Sequence, residues 1–221
     1  MGKSMAESKV EITGFLARHY DNIINIASLG SYSKFIRNAI GKMNIQAEDR
    51  ILDLGCGTGR NACLMAQYLS TEGAIVGVEI GAEMIERFER NCQRFTNIIV
   101  VNARIDEAMD FENEFDKALL SFVFHGFPQE KQDIIIDNVK KALKPGGQLF
   151  LLDYEEFDLS EKSALFRWGF EKFECRLAQD YLKVDWKQKL SELGFGKFGS
   201  HLFYRNLIRL LKAELLKNNS T

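Results

Sequence analysis

The chain has 221 residues, a length suited to a single hydrophobic core. Its 46% hydrophobic and 27% charged residues are those of an ordinary globular protein, and a formal net charge of −2 gives no electrostatic case for nucleic acid as a partner. No apolar run reaches the length of a membrane span, and Met1-Gly2-Lys3-Ser4-Met5-Ala6-Glu7 lacks the apolar core of a secretory signal, so a cytoplasmic chain without an integral membrane segment is expected.

Taken in chain order, the pattern alternates strand with helix, which predicts a mostly parallel sheet covered on both faces. His19-Tyr20-Asp21, Asn25 and Ser28-Leu29-Gly30-Ser31 precede a helix running to about Met43. The first strand is expected at 50–54. It runs into Asp53-Leu54-Gly55-Cys56-Gly57-Thr58-Gly59, and a helix over 60–70 follows at once. Glycines at every second position let a backbone approach a ligand with no Cβ between them, and the helix start offers unpaired N–H groups. A dinucleotide turn would place a third glycine where this chain has Arg60, and that glycine is needed for close helix–strand packing. A pyrophosphate ligand is therefore disfavoured, and a nicotinamide-dependent oxidoreductase with it. The second strand, 74–79, ends in Glu79, an acid placed to accept both hydroxyls of a ribose. Turn and acid together suggest an adenosine-containing ligand without a pyrophosphate.

Further helices are expected at 82–94 and 129–143, and further strands at 98–102, 115–121 and 147–153. Lys144-Pro145-Gly146-Gly147 should stop the helix before the fifth strand. Residues 160–193 read as helical and aromatic-rich. Residues 196–212 read as two short apolar runs split around Tyr204-Arg205-Asn206, a closing antiparallel hairpin. The four cysteines, Cys56, Cys63, Cys92 and Cys175, form no C-x-x-C pair, and there are only three histidines. Reduced thiols and no metal site are expected, a converging thiol trio for arsenite being the sharper alternative.

The set Asp53 to Gly59 with Glu79 resembles the nucleotide-binding half of class I S-adenosylmethionine-dependent methyltransferases, from about residue 15 to the end. The Phe115-Asp116 start of strand four and the Pro-Gly-Gly turn before strand five are similar to that family too. Tyr20-Asp21, Asn25, Ser28-Leu29-Gly30 and Asn102-Ala103 resemble its ubiquinone/menaquinone C-methyltransferase branch. The resemblance implies a three-layer α/β, Rossmann-like, seven-stranded mostly parallel sheet with an antiparallel edge hairpin and an N-terminal helical arm. It implies one domain over 1–221, with the arm at 1–45, a donor-binding core at 46–154, a helical lid and last helix at 155–195, and the closing hairpin at 196–217.

The implied cofactor is S-adenosylmethionine, leaving as S-adenosylhomocysteine. Its implied contacts are Asp53, Gly55, Cys56, Gly57, Thr58, Gly59, Glu79, Ile80, Asn102, Ala103, Ser121 and Phe122. Asn102 stands where many relatives carry an acid toward adenine; it could equally be a turn asparagine. His125 is a candidate general base, with packing or helix capping as its other reading. Asp153 could orient an acceptor or cap a loop, and Tyr20 could touch the methionine end of the donor. Such chemistry needs an aligned nucleophile and excluded water, and a base only where the acceptor holds a proton of high pKa. The expected partner is a small-molecule acceptor, apolar or aromatic given Phe157, Leu165, Phe166, Trp168, Phe170 and Phe173, on a monomer or homodimer. A quinone-specific enzyme and an inactive donor-binding sensor or partner subunit are the alternatives.

Overall fold

The computed structural model describes residues 31–164, 167, 168, 170 and 176–217. Tyr20, and with it the first part of the expected arm, lies outside the described residues. So do Leu165, Phe166 and Phe173 of the aromatic segment and the cysteine at 175.

Strands β1 (Arg50–Leu54), β2 (Ala74–Glu79), β3 (Ile98–Asn102) and β4 (Phe115–Ser121) lie where the sequence pattern puts them. Strands β5 (Leu143–Tyr154), β6 (Phe195–Phe203) and β7 (Ile208–Leu215) complete a seven-stranded sheet in the order β3-β2-β1-β4-β5-β7-β6. Pairings from β3 through β5 are parallel, whereas β7 runs antiparallel to both β5 and β6. The hairpin therefore folds back so that the last strand lies inside its partner.

Side chains alternate between the two faces, as the period of two requires. Leu52, Leu54, Leu149, Leu151 and Leu211 join one core, while Ile51, Phe150, Leu152 and Leu210 join the other. The second core is covered by α1 (Ser31–Gly41), α2 (Arg60–Met65) and α3 (Ala82–Cys92), through residues such as Phe35, Ile36, Ala39 and Ile40, or Phe88 and Cys92. The first core is covered by α4 (Gln129–Ala142) with Ile135, Ile136 and Val139, and by α6 (Trp186–Glu192) with Trp186 and Leu190; the short α5 (Arg176–Tyr181) adds Tyr181. Three layers result.

The helix expected over 82–94 ends at Cys92 and the closing hairpin runs from Phe195 to Leu215, and two boundaries differ more widely from expectation. The helix expected over 60–70 is α-helical only to Met65 and then tightens into a 3-10 turn, Ala66–Tyr68. Extended chain begins at Leu143 rather than at 147, because Lys144 precedes proline, which disfavours the helical region there. Pro145 and Gly146 are absorbed as a register shift, with Phe115 opposite Leu143 but Lys117 opposite Gln148. At the hairpin the expected break is observed: Tyr204, Arg205 and Asn206 all have positive φ.

Candidate functional site at the switch point of the sheet

Strand order reverses between β1 and β4, so the loops leaving those strands border a crevice at the carboxyl edge of the sheet. Gly55, Gly57 and Gly59 all adopt left-handed φ there, of 70°, 54° and 77°. Their surroundings differ. A Cβ on Gly55 would come within 2.8 Å of Val123 from the loop after β4, and one on Gly59 within 2.8 Å of Phe88 and 2.9 Å of the Cys92 sulfur. Among the described residues, a Cβ on Gly57 would meet nothing within 4 Å. Only Gly57 opens outward; the other two let protein pack on protein.

Glu79 reaches back to this turn. Its Oε2 accepts the Gly57 N–H at 3.0 Å, and its Oε1 accepts the N–H groups of Ile80 at 2.9 Å and Gly81 at 2.8 Å. Asp53 lies beneath the turn, 1% exposed, and among the described residues its buried Oδ2 has no hydrogen-bond partner. Burial, and then the nearby charge of Glu79, push its pKa from 3.8 to about 7. Thr58 is buried, with its carbonyl taken by the Asn91 amide at 2.9 Å, and Cys56 is buried behind the turn.

The other strand ends converge on the same edge. Asn102 stands opposite Glu79 in the β2–β3 register, and its amide nitrogen donates to the carbonyls of Glu79 at 3.3 Å and Ile80 at 3.1 Å. Ala103 N–H donates to the Glu79 carbonyl at 3.2 Å. Asn102 is thus an exposed brace for the loop after β2, with its amide oxygen left for other contacts. Ser121 ends β4 half-buried. Phe122 follows at φ 53°, an uncommon conformation for a residue with a side chain, and its ring packs beside Tyr32 and Phe35 of α1. Arg60 opens α2 with its guanidinium over the Tyr32 ring, 5.3 Å from the centroid.

His125 and Asp153, candidates from separate strand ends, are brought into contact. Because Ser121 pairs with Leu152, the segments leaving β4 and β5 run side by side. His125 Nδ1 lies 2.7 Å from Asp153 Oδ1, and the His125 N–H donates to Oδ2 at 3.2 Å. Tyr154 N–H also donates to Oδ1, at 2.9 Å. The imidazole faces Tyr154 at 5.1 Å and Tyr181 at 6.4 Å, and Tyr154 in turn meets Phe170 at 5.2 Å. Burial, with Asp153 adding to it, pushes the Tyr181 phenol well above its ordinary value.

Sequence reasoning missed the group behind this pair. Arg209, opposite Asp153 in the β5–β7 register and 3% exposed, holds Glu155 at 2.9 Å and Glu156 at 2.6 Å. Glu156 also accepts the Trp186 N–H that opens α6. The signal was present: an arginine inside the apolar run of β7, with adjacent acids just past β5.

Comparison with known proteins bears on what such an edge is for. A family model described as a methyltransferase domain matches residues 51–147. The demethylmenaquinone methyltransferase of Lactiplantibacillus plantarum is 26% identical over 160 residues, covering 71% of this chain and 67% of that one. Among solved structures, the SAM-dependent O-methyltransferase of Thermotoga maritima superposes with a TM-score of 0.58 at 18% identity, over 86% of this chain and 67% of that one. The CurJ carbon methyltransferase does so with a TM-score of 0.60 at 18% identity, over 79% of this chain and 51% of that one. Carbon and oxygen methyltransferases thus share the fold, which leaves the acceptor atom to the site.

The residues present suit S-adenosylmethionine. Gly57 offers a surface that any Cβ would fill, Asp53 an unpartnered buried carboxylate oxygen, and Glu79 a carboxylate already oriented by backbone N–H groups. Two acids beside a cleft match a ligand that carries positive charge on sulfur and nitrogen. By its sheet order, its turn and these relatives, the chain is similar to the class I S-adenosylmethionine-dependent methyltransferases, with a methyltransferase domain over residues 51–147.

Proposed function

We propose that the chain methylates a small aromatic or apolar acceptor by in-line displacement, with the acceptor lying against His125. Bound S-adenosylmethionine supplies an electrophilic methyl group. On this reading Glu79 accepts the ribose hydroxyls, Gly55 to Gly59 underlie the methionine end, and Asp53 offsets positive charge. Ile80, Asn102 and Ala103 border the adenine, while Ser121 and Phe122 wall the methyl-bearing side. Tyr20 is assigned to the methionine end from the sequence resemblance alone. Residues 46–154 are read as the donor-binding part, with 1–45 and 155–195 covering the acceptor and 196–217 closing the sheet.

The contact between His125 and Asp153 carries the acceptor reading. A carboxylate at Nδ1 favours the tautomer with its proton on that nitrogen, which leaves Nε2 to accept one. An acceptor hydroxyl could give its proton there as its oxygen, or the ring carbon it activates, attacks. Two ring clusters support an aromatic acceptor: Tyr154 with His125 and Phe170, and Phe122 with Tyr32 and Phe35. The demethylmenaquinone methyltransferase among the relatives supports a hydroquinone as the specific case. We read the place of action as the cytoplasm, consistent with no disulfide among the described cysteines and with no described helix long and apolar enough to cross a membrane.

The test is transfer of a labelled methyl group to a panel of hydroquinones, phenols, amines and lipids, with calorimetry for donor binding. Turnover on hydroquinones or phenols is expected. Donor binding without turnover on any of them would make the chain a sensor, and turnover confined to amines would overturn the acceptor class.

A further inference from the structure

Two thiols face each other behind the glycine turn. Cys63 lies in α2 and Cys92 ends α3, and their sulfurs are 2.7 Å apart. Cys63 is half-buried, while Cys92 is 3% exposed. Both hold the turn. The Cys63 N–H donates to the Gly59 carbonyl at 2.9 Å, and the Cys92 sulfur lies 3.6 Å from the same oxygen as a thiol donor. The neighbouring Asn91 amide grips the Thr58 carbonyl at 2.9 Å. The third described thiol, Cys56, packs toward Gly77, where a Cβ would come within 2.6 Å of its sulfur.

We propose that Cys63 and Cys92 form a reversible disulfide under peroxide, and that this bond weakens the grip of the glycine turn on S-adenosylmethionine. A disulfide needs about 2.05 Å between sulfurs, a sub-ångström approach from the spacing present. The Cys63 thiol releases its proton, the thiolate attacks a peroxide oxygen, the O–O bond breaks, and a sulfenic acid forms while the departing hydroxide takes up that proton as water. Cys92 sulfur then attacks the Cys63 sulfur; the S–S bond forms and the sulfenic hydroxyl leaves as water with the Cys92 proton. The two sulfurs are oxidised together by two electrons, and peroxide is reduced to water. The roles follow exposure: peroxide reaches Cys63 first. The adjoining Cys63 sulfur and burial hold Cys92 as a thiol, in the resolving position. Once bonded, Cys92 has no S–H to donate to Gly59, and α3 is drawn toward α2 behind the turn.

The disulfide is independent of the donor-site reading; the loss of affinity rests on it. The first experiment treats the full chain with hydrogen peroxide and maps non-reduced peptides by mass spectrometry. A Cys63–Cys92 link is expected, lost on reduction with dithiothreitol. It should be absent in Cys63→Ser, Cys92→Ser and Cys92→Ala and retained in Cys56→Ser and Cys175→Ser. A link through Cys175, or Cys63 sulfinate beside a Cys92 thiol, overturns the site. The second measures S-adenosylmethionine binding by calorimetry on reduced and oxidised protein. A loss of about threefold or more is expected, the size of a weak hydrogen bond, and it should be recovered on reduction. An unchanged Kd in fully linked protein overturns the coupling and leaves the modification site standing. No binding in either form overturns the donor site itself, with the disulfide still read by mass.

Discussion

Asp153 grips His125 at two points: Oδ1 lies 2.7 Å from the imidazole Nδ1, and Oδ2 accepts the backbone N–H at 3.2 Å. The ring is therefore fixed in orientation as well as in tautomer, and Nε2 is the nitrogen left without the proton. If that nitrogen takes the acceptor proton, His125→Gln lowers kcat by about 100-fold or more while leaving donor affinity unchanged. The decisive readout is the pH profile. The fall in rate at low pH, where the imidazole carries its own proton, should disappear in the variant. Asp153→Asn should lower kcat with the limb displaced. A histidine that only packs would leave the profile as it was.

Glu79 joins the turn to the end of β2 through three backbone N–H groups. Glu79→Gln keeps the shape and removes the charge. Glu79→Ala leaves those N–H groups without their acceptor. S-adenosylmethionine affinity is expected to fall about tenfold in the first and further in the second, the cost of hydrogen bonds to a charged group. Calorimetry checks it, and an unchanged Kd in Glu79→Ala removes the ribose assignment.

The glycines of the turn separate binding from folding. Gly59→Ala would drive a Cβ to 2.8 Å from Phe88 at φ 77°, so the variant should lose about 2 kcal/mol or more of stability, read by thermal melting. Gly57→Ala meets no atom of the described residues and pays only for its φ of 54°, about 1 kcal/mol, yet its methyl enters the space assigned to the donor. It should fold and fail to bind. The reverse pattern would place the ligand elsewhere.

What could be read without coordinates follows from how local each signal is. Strands β1, β2 and β4 are buried on both faces, and such strands write continuous apolar runs between polar turns, so their limits were legible to the residue; the edge strand β3, with Ile99 exposed, was legible from its β-branched run. The start of β5 was not, because the proline-glycine segment became a bulge inside a strand rather than a turn before one. That Asp53, Glu79 and Asn102 gather along one edge of the sheet was legible because each stands at or next to the end of a parallel strand. The pairing of His125 with Asp153 was not: it depends on the β4–β5 register, which brings together residues 28 apart in sequence. Nor could spacing show that Gly55 and Gly59 serve packing while Gly57 alone faces open space.

Asp53 makes the donor site sensitive to pH. Its carboxyl, at about 7 in the folded chain, would release its proton near 3.8 when unfolded, with burial the main cause and Glu79 the second. Between those values the native state binds more protons than the unfolded state, so stability falls as pH rises through that window and is level above it. The full change is on the order of 4 kcal/mol. Asp53→Asn should flatten this slope in denaturant titrations. A cation bound beside Asp53 favours the ionised carboxylate and lowers its pKa. Binding of S-adenosylmethionine below neutrality should then release a proton, and affinity should rise from about pH 5.5 to about pH 7 before levelling. Calorimetry in buffers of different ionisation enthalpy measures that proton directly. Proton release that persists in Asp53→Asn would assign the linkage to another group, and affinity that falls as pH rises would mean the donor's positive charge does not lie near Asp53.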